Sequence, residues 1–264
     1  MTDENPSTYK AAIVDLDGTV YLGDSLIPGA DAGVATLREH EIDVLFLTNN
    51  ASERRQDYIR KLTEFGLAAN LENVINSGWV TARYAADHYP DRQVFVIGED
   101  PLIDELETAG LAVTQHEPGD LLVVSMDRRF TYEKLRLGLR TLESGAPFLA
   151  TNPDRTCPTG RKPIPDAAGM IGAVEGVSGR VVDQMLGKPS AMMAKTALSK
   201  LSVDPSECLM IGDRLKTDIK MGNRAGMETA LVMSGVTDKT MLSASNAAPD
   251  YVLDSLADIE AVLQ

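Results

Sequence analysis

The stretch Ala11-Ala-Ile-Val-Asp-Leu-Asp-Gly-Thr-Val20 decides how the chain folds and where its chemistry lies. Its apolar letters predict a buried strand over residues 13–16, which Gly18 and Thr19 end. Open α/β sheets bind their ligands at the carboxyl ends of the strands, so Asp15 is a candidate nucleophile and Asp15 and Asp17 are candidate ligands of a hard cation. Taken alone, the same letters also fit an ordinary Asp-Gly turn.

Length and composition indicate a folded protein without a membrane span. The 264 residues suffice for one large or two moderate domains, and 44% of them are hydrophobic. No segment approaches the roughly 18 consecutive apolar residues of a transmembrane helix, and the acidic start of the chain lacks the apolar core of a secretory signal. Cys157 and Cys208 stand far apart and form no metal-binding spacing. We therefore expect a reduced, cytoplasmic protein.

The charge is strongly acidic. The 39 acidic residues exceed the 25 basic ones, giving a formal net charge of −14. This balance argues against nucleic acid as a partner, because binding to nucleic acid depends on Lys and Arg at the phosphates. The acidity fits an ordinary acidic protein or one from a salt-rich cytoplasm, and the composition leaves both readings open.

Apolar runs alternate with helix-like stretches along the chain, which predicts an α/β fold with a parallel sheet. Helices are predicted over residues 28–40, 52–65 (with Ser52 as N-cap), 131–142, 166–177, 190–201 and 216–225, and strands over 13–16, 43–47, 94–97, 121–125, 148–150, 208–211, 229–233 and 251–253. The second α/β series is about 100 residues long, enough for an inserted domain. We therefore predict one domain from residues 1–80 and 186–264, and a second from 81–185.

Four polar motifs follow predicted strands or precede predicted helices. They are Asp15-Leu-Asp17; Thr48 with Asn49; Gly187-Lys188-Pro189; and Gly212-Asp213-Arg-Leu-Lys-Thr-Asp218. Each has a plain alternative: Thr48 and Asn49 fit a turn, Lys188 fits a solvated loop, and Asp218 fits a helix N-cap. The order and spacing of all four together favour a shared site.

In that order the four motifs resemble the signatures of the haloacid dehalogenase-like (HAD) phosphatases, over essentially the whole chain. Thr48-Asn-Asn50, Gly187-Lys-Pro189 and the long insertion resemble the NagD / p-nitrophenyl phosphatase branch in particular. The resemblance implies a Rossmann-like core with a parallel sheet and an inserted C2-type α/β cap.

The resemblance also implies residue roles. Asp15 would be the nucleophile and a metal ligand, and Asp17 would protonate the leaving group, activate water and reach the metal through its backbone carbonyl. Asp213 would complete the carboxylate ligands of Mg²⁺, the cofactor. Lys188 would neutralise the phosphoryl group.

The remaining implied roles surround the phosphate. Thr48 and Asn49 would bind the transferring phosphoryl group, and backbone N–H groups at Gly18 would cradle its oxygens. Asp218 would orient Lys188 or a metal-bound water. Asn152 and Asp154 would face the site from the cap.

The implied function is hydrolysis of a small phosphorylated metabolite (a nucleotide, a sugar phosphate or phosphoglycolate) through an aspartyl-phosphate. Two alternatives remain: a phosphotransferase or mutase that uses the same intermediate, and a non-catalytic protein that binds a phosphometabolite. A homodimer is compatible with this family. The three histidines have no metal-binding spacing, and Cys157 has no base nearby in the sequence.

Overall fold

Two parallel β-sheets organise the computed structural model, which describes residues 9–158 and 162–264. The strands, in chain order, are β1 (Ala11–Asp15), β2 (Tyr21–Leu22), β3 (Ser25–Leu26), β4 (Asp43–Thr48), β5 (Val74–Asn76), β6 (Val94–Ile97), β7 (Val113–Thr114), β8 (Leu121–Val124), β9 (Phe148–Ala150), β10 (Thr156–Cys157), β11 (Ile164–Pro165), β12 (Gln184–Met185), β13 (Cys208–Gly212), β14 (Glu228–Val232) and β15 (Tyr251–Leu253). The core sheet has the order β15-β14-β13-β1-β4-β5, and the sheet of the inserted segment has the order β12-β9-β8-β6-β7. The predicted α/β class with a parallel sheet is confirmed.

Helices connect the strands of both sheets. They are α1 (Ala30–Glu39), α2 (Arg55–Glu64), α3 (Ser77–His88), α4 (Asp100–Thr108), α5 (Tyr132–Glu143), α6 (Ala167–Ser178), α7 (Ala191–Leu201), α8 (Lys220–Ala225), α9 (Lys239–Ser243) and α10 (Glu260–Leu263). A single π-helical turn, Leu215–Ile219, precedes α8, and short 3₁₀ turns span Pro205–Glu207 and Leu256–Asp258. None of the helices in the described ranges is long and apolar enough to cross a membrane.

Strand order reverses at the centre of the core sheet. The chain runs from β1 through β4 to β5 on one side, and from β13 through β14 to β15 on the other. Val14 lies beside Ile211 and Asp15 lies beside Leu47, so the segments that follow β1, β4 and β13 leave the sheet at the same edge. Such a reversal creates a crevice at the carboxyl ends of the strands, and the predicted site residues lie there.

The inserted segment packs firmly on the core. Helices α3 and α4 lie against each other, and one apolar cluster contains Ile13 and Leu47 of the core sheet together with Val96 and Val123 of the other sheet. A separate cluster, formed with α5 and α6, covers the opposite face of the second sheet. Helix α3 spans residues 80 and 81, so the predicted domain boundary falls inside a helix. The division at 1–80, 81–185 and 186–264 stays a prediction.

Helix α2 begins later than predicted. Ser52 is not its N-cap, because both the N–H and the hydroxyl of Ser52 donate to the Asn50 side-chain oxygen, at 2.9 and 2.7 Å. These bonds hold Ser52 in a turn, and the helix starts at Arg55 with Arg54 as N-cap. The predicted helix over 216–225 is also divided, into the π turn and α8.

Candidate active site

A small cavity of about 30 Å³ lies at the crevice of the core sheet, with room for about one or two water molecules. It is lined by Asp15, Asp17, Thr48, Asn49, Asn50, Asp154, Cys157, Pro158, Asp166, Lys188, Arg214 and Thr217. Four of these residues (Asp154, Cys157, Pro158 and Asp166) belong to the inserted segment, which closes the cavity from above. The cavity therefore contains side chains from all four sequence motifs. The fourth motif contributes Arg214 and Thr217 to the wall.

Lys188 lies at the centre of the site and is 2% exposed. Its Nζ donates to Asp15 Oδ1 and stands 2.7 Å from Asp218 Oδ1. Its burial opposes the charged form, but Asp15 and Asp218 outweigh burial and raise the pKa of Lys188. Ser190 caps α7 by accepting the Met193 N–H at 3.1 Å, and so fixes the start of that helix two residues after Lys188. The lysine is therefore a buried, fixed cation.

Two buried carboxylates, Asp15 and Asp218, contact this ammonium, and a third, Asp213, lies beside them. One oxygen each of Asp15, Asp213 and Asp218 lie within 4.8 Å of one another. Burial raises the pKa of Asp213 to about 7, with the Asp218 charge adding to the shift. Burial also raises the pKa of Asp15, against the opposing effect of Lys188. The charged form of this cluster is destabilised as long as no further cation is present.

The cluster fits a divalent cation. Three carboxylates against a single ammonium leave a formal charge of −2, which one divalent ion would balance. Asp213 Oδ2 accepts the Val236 N–H, whereas Asp213 Oδ1 is buried and has no hydrogen-bond partner within the part of the chain that the structure describes. Carboxylate oxygens are the ligands that hard cations prefer. A Cβ at Gly18 or Gly235 would lie 2.5 or 2.1 Å from Asp213 Oδ2, so both positions require glycine for this close approach.

Asp17 occupies a different environment from that cluster. It follows β1, is half-buried and lines the cavity, and its carboxylate is not one of the three clustered carboxylates. Burial raises its pKa to about 6, with Lys61 lowering it and Glu53 raising it. The turn that follows is held by the Gly18 N–H, which donates to the Tyr21 carbonyl at 2.7 Å. The N–H of Gly18 is thus engaged within the turn.

The motif after β4 fixes the position of Lys188. Asn49 Oδ1 accepts the Lys188 N–H at 2.7 Å, and Asn49 Nδ2 donates to the Lys188 carbonyl at 3.1 Å. Thr48 Oγ1 accepts the Asn50 N–H at 3.1 Å, so its own hydroxyl proton is available to a ligand in the cavity. Thr48 therefore supplies a donor, and Asn49 holds the backbone of the central lysine.

Asn152 and Asp154 differ in their placement. Asp154 lines the cavity, where it accepts a 2.7 Å hydrogen bond from Asn49 Nδ2. Asn152 lies behind the wall, because its side chain donates to the Asn49 carbonyl at 3.0 Å and accepts the Asp154 N–H at 2.9 Å. Of this predicted pair, only Asp154 faces the cavity, and Asn152 supports Asn49 and Asp154 from outside it.

Arg214 and Asp166 belong to the site although the sequence did not single them out. Arg214 Nη1 binds Asp154 Oδ1 at 3.0 Å and Nη2 donates to the Thr156 carbonyl at 3.3 Å, which ties the motif after β13 to the inserted segment. Asp166 caps α6, and burial raises its pKa to about 6. The position of Arg214 directly after Asp213 was the available signal, but its partner lies 60 residues away.

Cys157 lies in the cavity wall with its sulfur 3.6 Å from the Pro158 carbonyl. Burial raises the pKa of its thiol to about 12, so the thiolate is scarce at neutral pH. This environment does not favour Cys157 as a nucleophile, as the lack of a base near it in the sequence also indicated.

Comparisons with known proteins point to one family. A family model described as haloacid dehalogenase-like hydrolase matches residues 12–112, and a second, described as HAD-hydrolase-like, matches residues 185–259. The sugar-phosphatase AraL of Bacillus subtilis (strain 168) is 35% identical over 97% of this chain and 94% of its own length. The 5'-nucleotidase YutF of the same organism is 38% identical over 95% and 97%.

A solved structure is similar over nearly the whole chain. The p-nitrophenyl phosphatase from Archaeoglobus fulgidus superposes with a TM-score of 0.91 at 34% sequence identity, covering 97% of this chain and 99% of that one. The family and branch that the four motifs predicted are therefore confirmed.

Proposed function

Because the chain belongs to the haloacid dehalogenase-like hydrolases, we propose that it is a Mg²⁺-dependent phosphatase that hydrolyses monoesters of small phosphorylated metabolites through an aspartyl-phosphate. One observation carries the proposal. Three buried carboxylates, two of which contact Lys188, cluster at the crevice of the sheet, and a fourth carboxylate of raised pKa, that of Asp17, lies outside this cluster. Such an arrangement suits a cation site, a nucleophile and a separate acid at one place.

In this proposal Asp15 attacks phosphorus. Its oxygen forms the new P–O bond as the bond to the leaving oxygen breaks, and water then attacks the phosphorus of the aspartyl-phosphate to release inorganic phosphate. Lys188 donates a hydrogen bond to Asp15, which favours the ionised, nucleophilic form. When bound to the three carboxylates, Mg²⁺ would offset the repulsion between the attacking carboxylate and the phosphate.

Asp17 carries the proton. A pKa of about 6 leaves a useful share of the carboxyl protonated near neutral pH, and the protonated form can give its proton to the leaving oxygen. The resulting carboxylate can then take a proton from the attacking water. The separation of Asp17 from the metal-binding carboxylates supports this division of labour, because a ligand of the cation would not hold a proton.

Thr48 and Lys188 would bind the phosphoryl oxygens. The Thr48 hydroxyl proton is available, and the Lys188 ammonium lies beside Asp15. Asn49 acts on Lys188 rather than on phosphate, through two hydrogen bonds to its backbone. Fixed donors of this kind stabilise charge on the transferring group without reorganising during the reaction.

Substrates are proposed by analogy with the relatives, whose names refer to sugar phosphates, nucleotides and p-nitrophenyl phosphate. Phosphoglycolate remains a further candidate from the sequence. The inserted segment would act as the cap that selects the leaving group, since it supplies four residues of the cavity wall. The cytoplasmic location and a homodimer stay predictions.

A phosphate-release assay tests the proposal. Purified protein is given p-nitrophenyl phosphate, a hexose 6-phosphate, a nucleoside monophosphate and phosphoglycolate, each with Mg²⁺ and with excess chelator. We expect release of phosphate from at least one ester with Mg²⁺, loss of release with chelator, and recovery on adding Mg²⁺ back. Equal molar yields of alcohol and inorganic phosphate distinguish hydrolysis from transfer to another acceptor. No release from any ester would refute the hydrolase assignment.

A further inference from the structure

A much larger cleft adjoins the catalytic cavity. It has a volume of about 910 Å³ and lies between residues 153–156 of the inserted segment, the π turn with α8, and residues 236–245. Asp154, Arg214 and Thr217 line both the cleft and the cavity. The ion pair between Asp154 and Arg214 therefore lies at the boundary between the two spaces.

The cleft concentrates positive charge in an acidic protein. Besides Arg214, its wall contains Arg155, Lys216, Lys220 and Arg224, and Asp154 is the only acidic residue that the described ranges contribute to it. Within the described residues, none of these four cations has an ion-pair partner. In a chain where 39 acidic residues face 25 basic ones, unpaired cations gathered at one cleft require an explanation.

Three of these cations form a line that begins at the site. Lys216 lies in the π turn after Asp213, and Lys220 and Arg224 follow at intervals of four residues through α8. A spacing of four residues keeps helical side chains on one face, about 6 Å apart along the axis. The line of charge thus extends from the catalytic carboxylates into the cleft, as expected for a surface that holds an extended anion.

Two hydroxyls in the wall lack a partner. Thr217 and Thr237 are 5% and 3% exposed, and neither Oγ1 has a hydrogen-bond partner among the described residues. Buried hydroxyls are nearly always hydrogen-bonded, so each of these two has hydrogen-bonding capacity for a ligand group or an ordered water at the wall. Apolar side chains, including Leu215, Val236 and Met241, form much of the remaining wall and suit a carbon skeleton.

We propose that this cleft binds a second anionic group on the leaving part of the substrate. The preferred substrates are then phosphomonoesters that also carry a carboxylate or a second phosphate. The transferring phosphate lies in the catalytic cavity, and the second anion lies in the cleft, on the line formed by Lys216, Lys220 and Arg224. This inference rests on the proposed phosphatase function.

Matched substrate pairs separate this cleft from general attraction of anions. For the carboxylate, kcat/KM is measured for 3-phosphoglycerate and for glycerol 3-phosphate, which have the same backbone and differ in one carboxylate. For the second phosphate, fructose 1,6-bisphosphate is compared with fructose 6-phosphate. The variants are wild type, Lys220→Gln with Arg224→Gln, Thr237→Val, and the control Lys195→Gln, an exposed lysine of α7 outside the cleft. Thermal melts verify that each variant is folded.

We expect wild type to prefer the doubly anionic member of at least one pair. The Lys220→Gln, Arg224→Gln variant should lower that preference about fivefold or more, as the loss of two partly exposed ionic contacts allows. Thr237→Val should lower it about threefold. Glycerol 3-phosphate and fructose 6-phosphate should keep their kcat/KM in all variants, and Lys195→Gln should resemble wild type.

Three results would overturn the inference: no preference in either pair, a preference that survives the charge substitutions, or an equal loss for both members of a pair. The last result would indicate steering of every phosphate ester rather than a subsite. The pair that shows the loss identifies carboxylate or phosphate as the second anion. Failure of the phosphatase function itself is distinct, because glycerol 3-phosphate and p-nitrophenyl phosphate would then also be inert in wild type.

Discussion

The two sheets of the molecule place acidic residues after their strands in similar ways, but pair them differently. In the inserted segment Glu99 follows β6, and Arg128 binds it through two side-chain contacts of 2.6 and 2.7 Å. Asp127 follows β8, and Lys134 binds it. Each of these carboxylates has its own cation. At the core sheet, Asp15 and Asp218 share Lys188, and Asp213 beside them has no ion-pair partner among the described residues.

The pKa shifts follow this difference in pairing. Burial opposes ionisation of Glu99, but the Arg128 guanidinium outweighs it and lowers the pKa of that carboxyl. At the core sheet burial prevails and raises the pKa of Asp213 to about 7. A buried carboxylate with its own cation is a structural element, whereas buried carboxylates in excess of the nearby cations form a candidate cation site. We therefore assign a structural role to these acidic residues of the inserted segment, and the proposed chemistry to those of the core sheet.

The largest expected effect comes from Asp15→Asn. It removes the proposed nucleophile and should lower kcat by at least about 10⁴-fold, since loss of a nucleophile disables the whole covalent route. The matched change in the other sheet, Glu99→Gln, should leave kcat near the wild-type value. Steady-state kinetics and a thermal melt of each variant provide the comparison. Comparable losses of kcat would remove the distinction between the two sheets.

Asp17→Asn should lower kcat by about 10³-fold for an alkyl phosphate, because the leaving alkoxide then departs without a proton. The loss should be much smaller for p-nitrophenyl phosphate, whose phenolate leaves readily unprotonated. Rates for the two esters with wild type and variant measure this difference. An equal loss for both esters would contradict a proton-donating role for Asp17.

Asp166 tests the same comparison within the inserted segment. Burial raises its pKa to about 6, whereas the Arg128 guanidinium lowers the pKa of Glu99. The folded state holds this proton more tightly than the unfolded state, so the stabilisation is full below about pH 4 and is lost as pH rises through about 6. Asp166→Asn keeps a side-chain oxygen for the helix cap without the charge. Its free energy of unfolding should exceed that of wild type by an amount that grows between about pH 4 and pH 6, to at most about 3 kcal/mol.

Urea unfolding of wild type and Asp166→Asn at pH 4 and pH 7.5 measures that gain. Asp100→Asn is the control, because Arg129 lowers the pKa of this exposed carboxyl. The stability of this variant relative to wild type should therefore not increase from pH 4 to pH 7.5. A pH-independent difference for Asp166→Asn would show that its carboxyl is not held in its protonated form by burial.

The smallest expected effect is that of Asn49→Ala, which removes the two hydrogen bonds to the Lys188 backbone. Leaving these groups unpaired costs about 1–2 kcal/mol, so kcat should fall about tenfold with a smaller change in KM. The control Asn70→Ala removes the same side chain from an exposed turn. If Asn49→Ala raised KM alone, Asn49 would bind substrate rather than position the lysine.

Much of the core was predictable because its signals are local. The buried strand β1 with its following turn, and the strand β13 with its Gly-Asp, carry short motifs whose letters fix their own conformation. Helices α3 and α4 were not predicted, and in the structure they pack against each other. Ser52 was placed wrongly because the competing acceptor, the Asn50 side chain, is a local alternative to helix capping.

The site was predictable in its residue types and less so in its connections. The carboxylates to which we assign metal binding and proton transfer lie in the motifs around Asp15 and Asp213. The pairing of Arg214 with Asp154 joins residues 60 positions apart, and the support that Asn152 gives Asn49 joins residues 103 apart. Such contacts depend on how the inserted segment docks on the core, which no local pattern specifies.

Trapping of the covalent intermediate tests the central claim most directly. Enzyme with Mg²⁺ is mixed with a ³²P-labelled substrate, quenched in acid within milliseconds, digested, and its peptides are mapped by mass spectrometry. The account predicts a single labelled site at Asp15, absent in Asp15→Asn and retained in Glu99→Gln. Label on any other residue, or turnover of wild type without label on the protein, would contradict it.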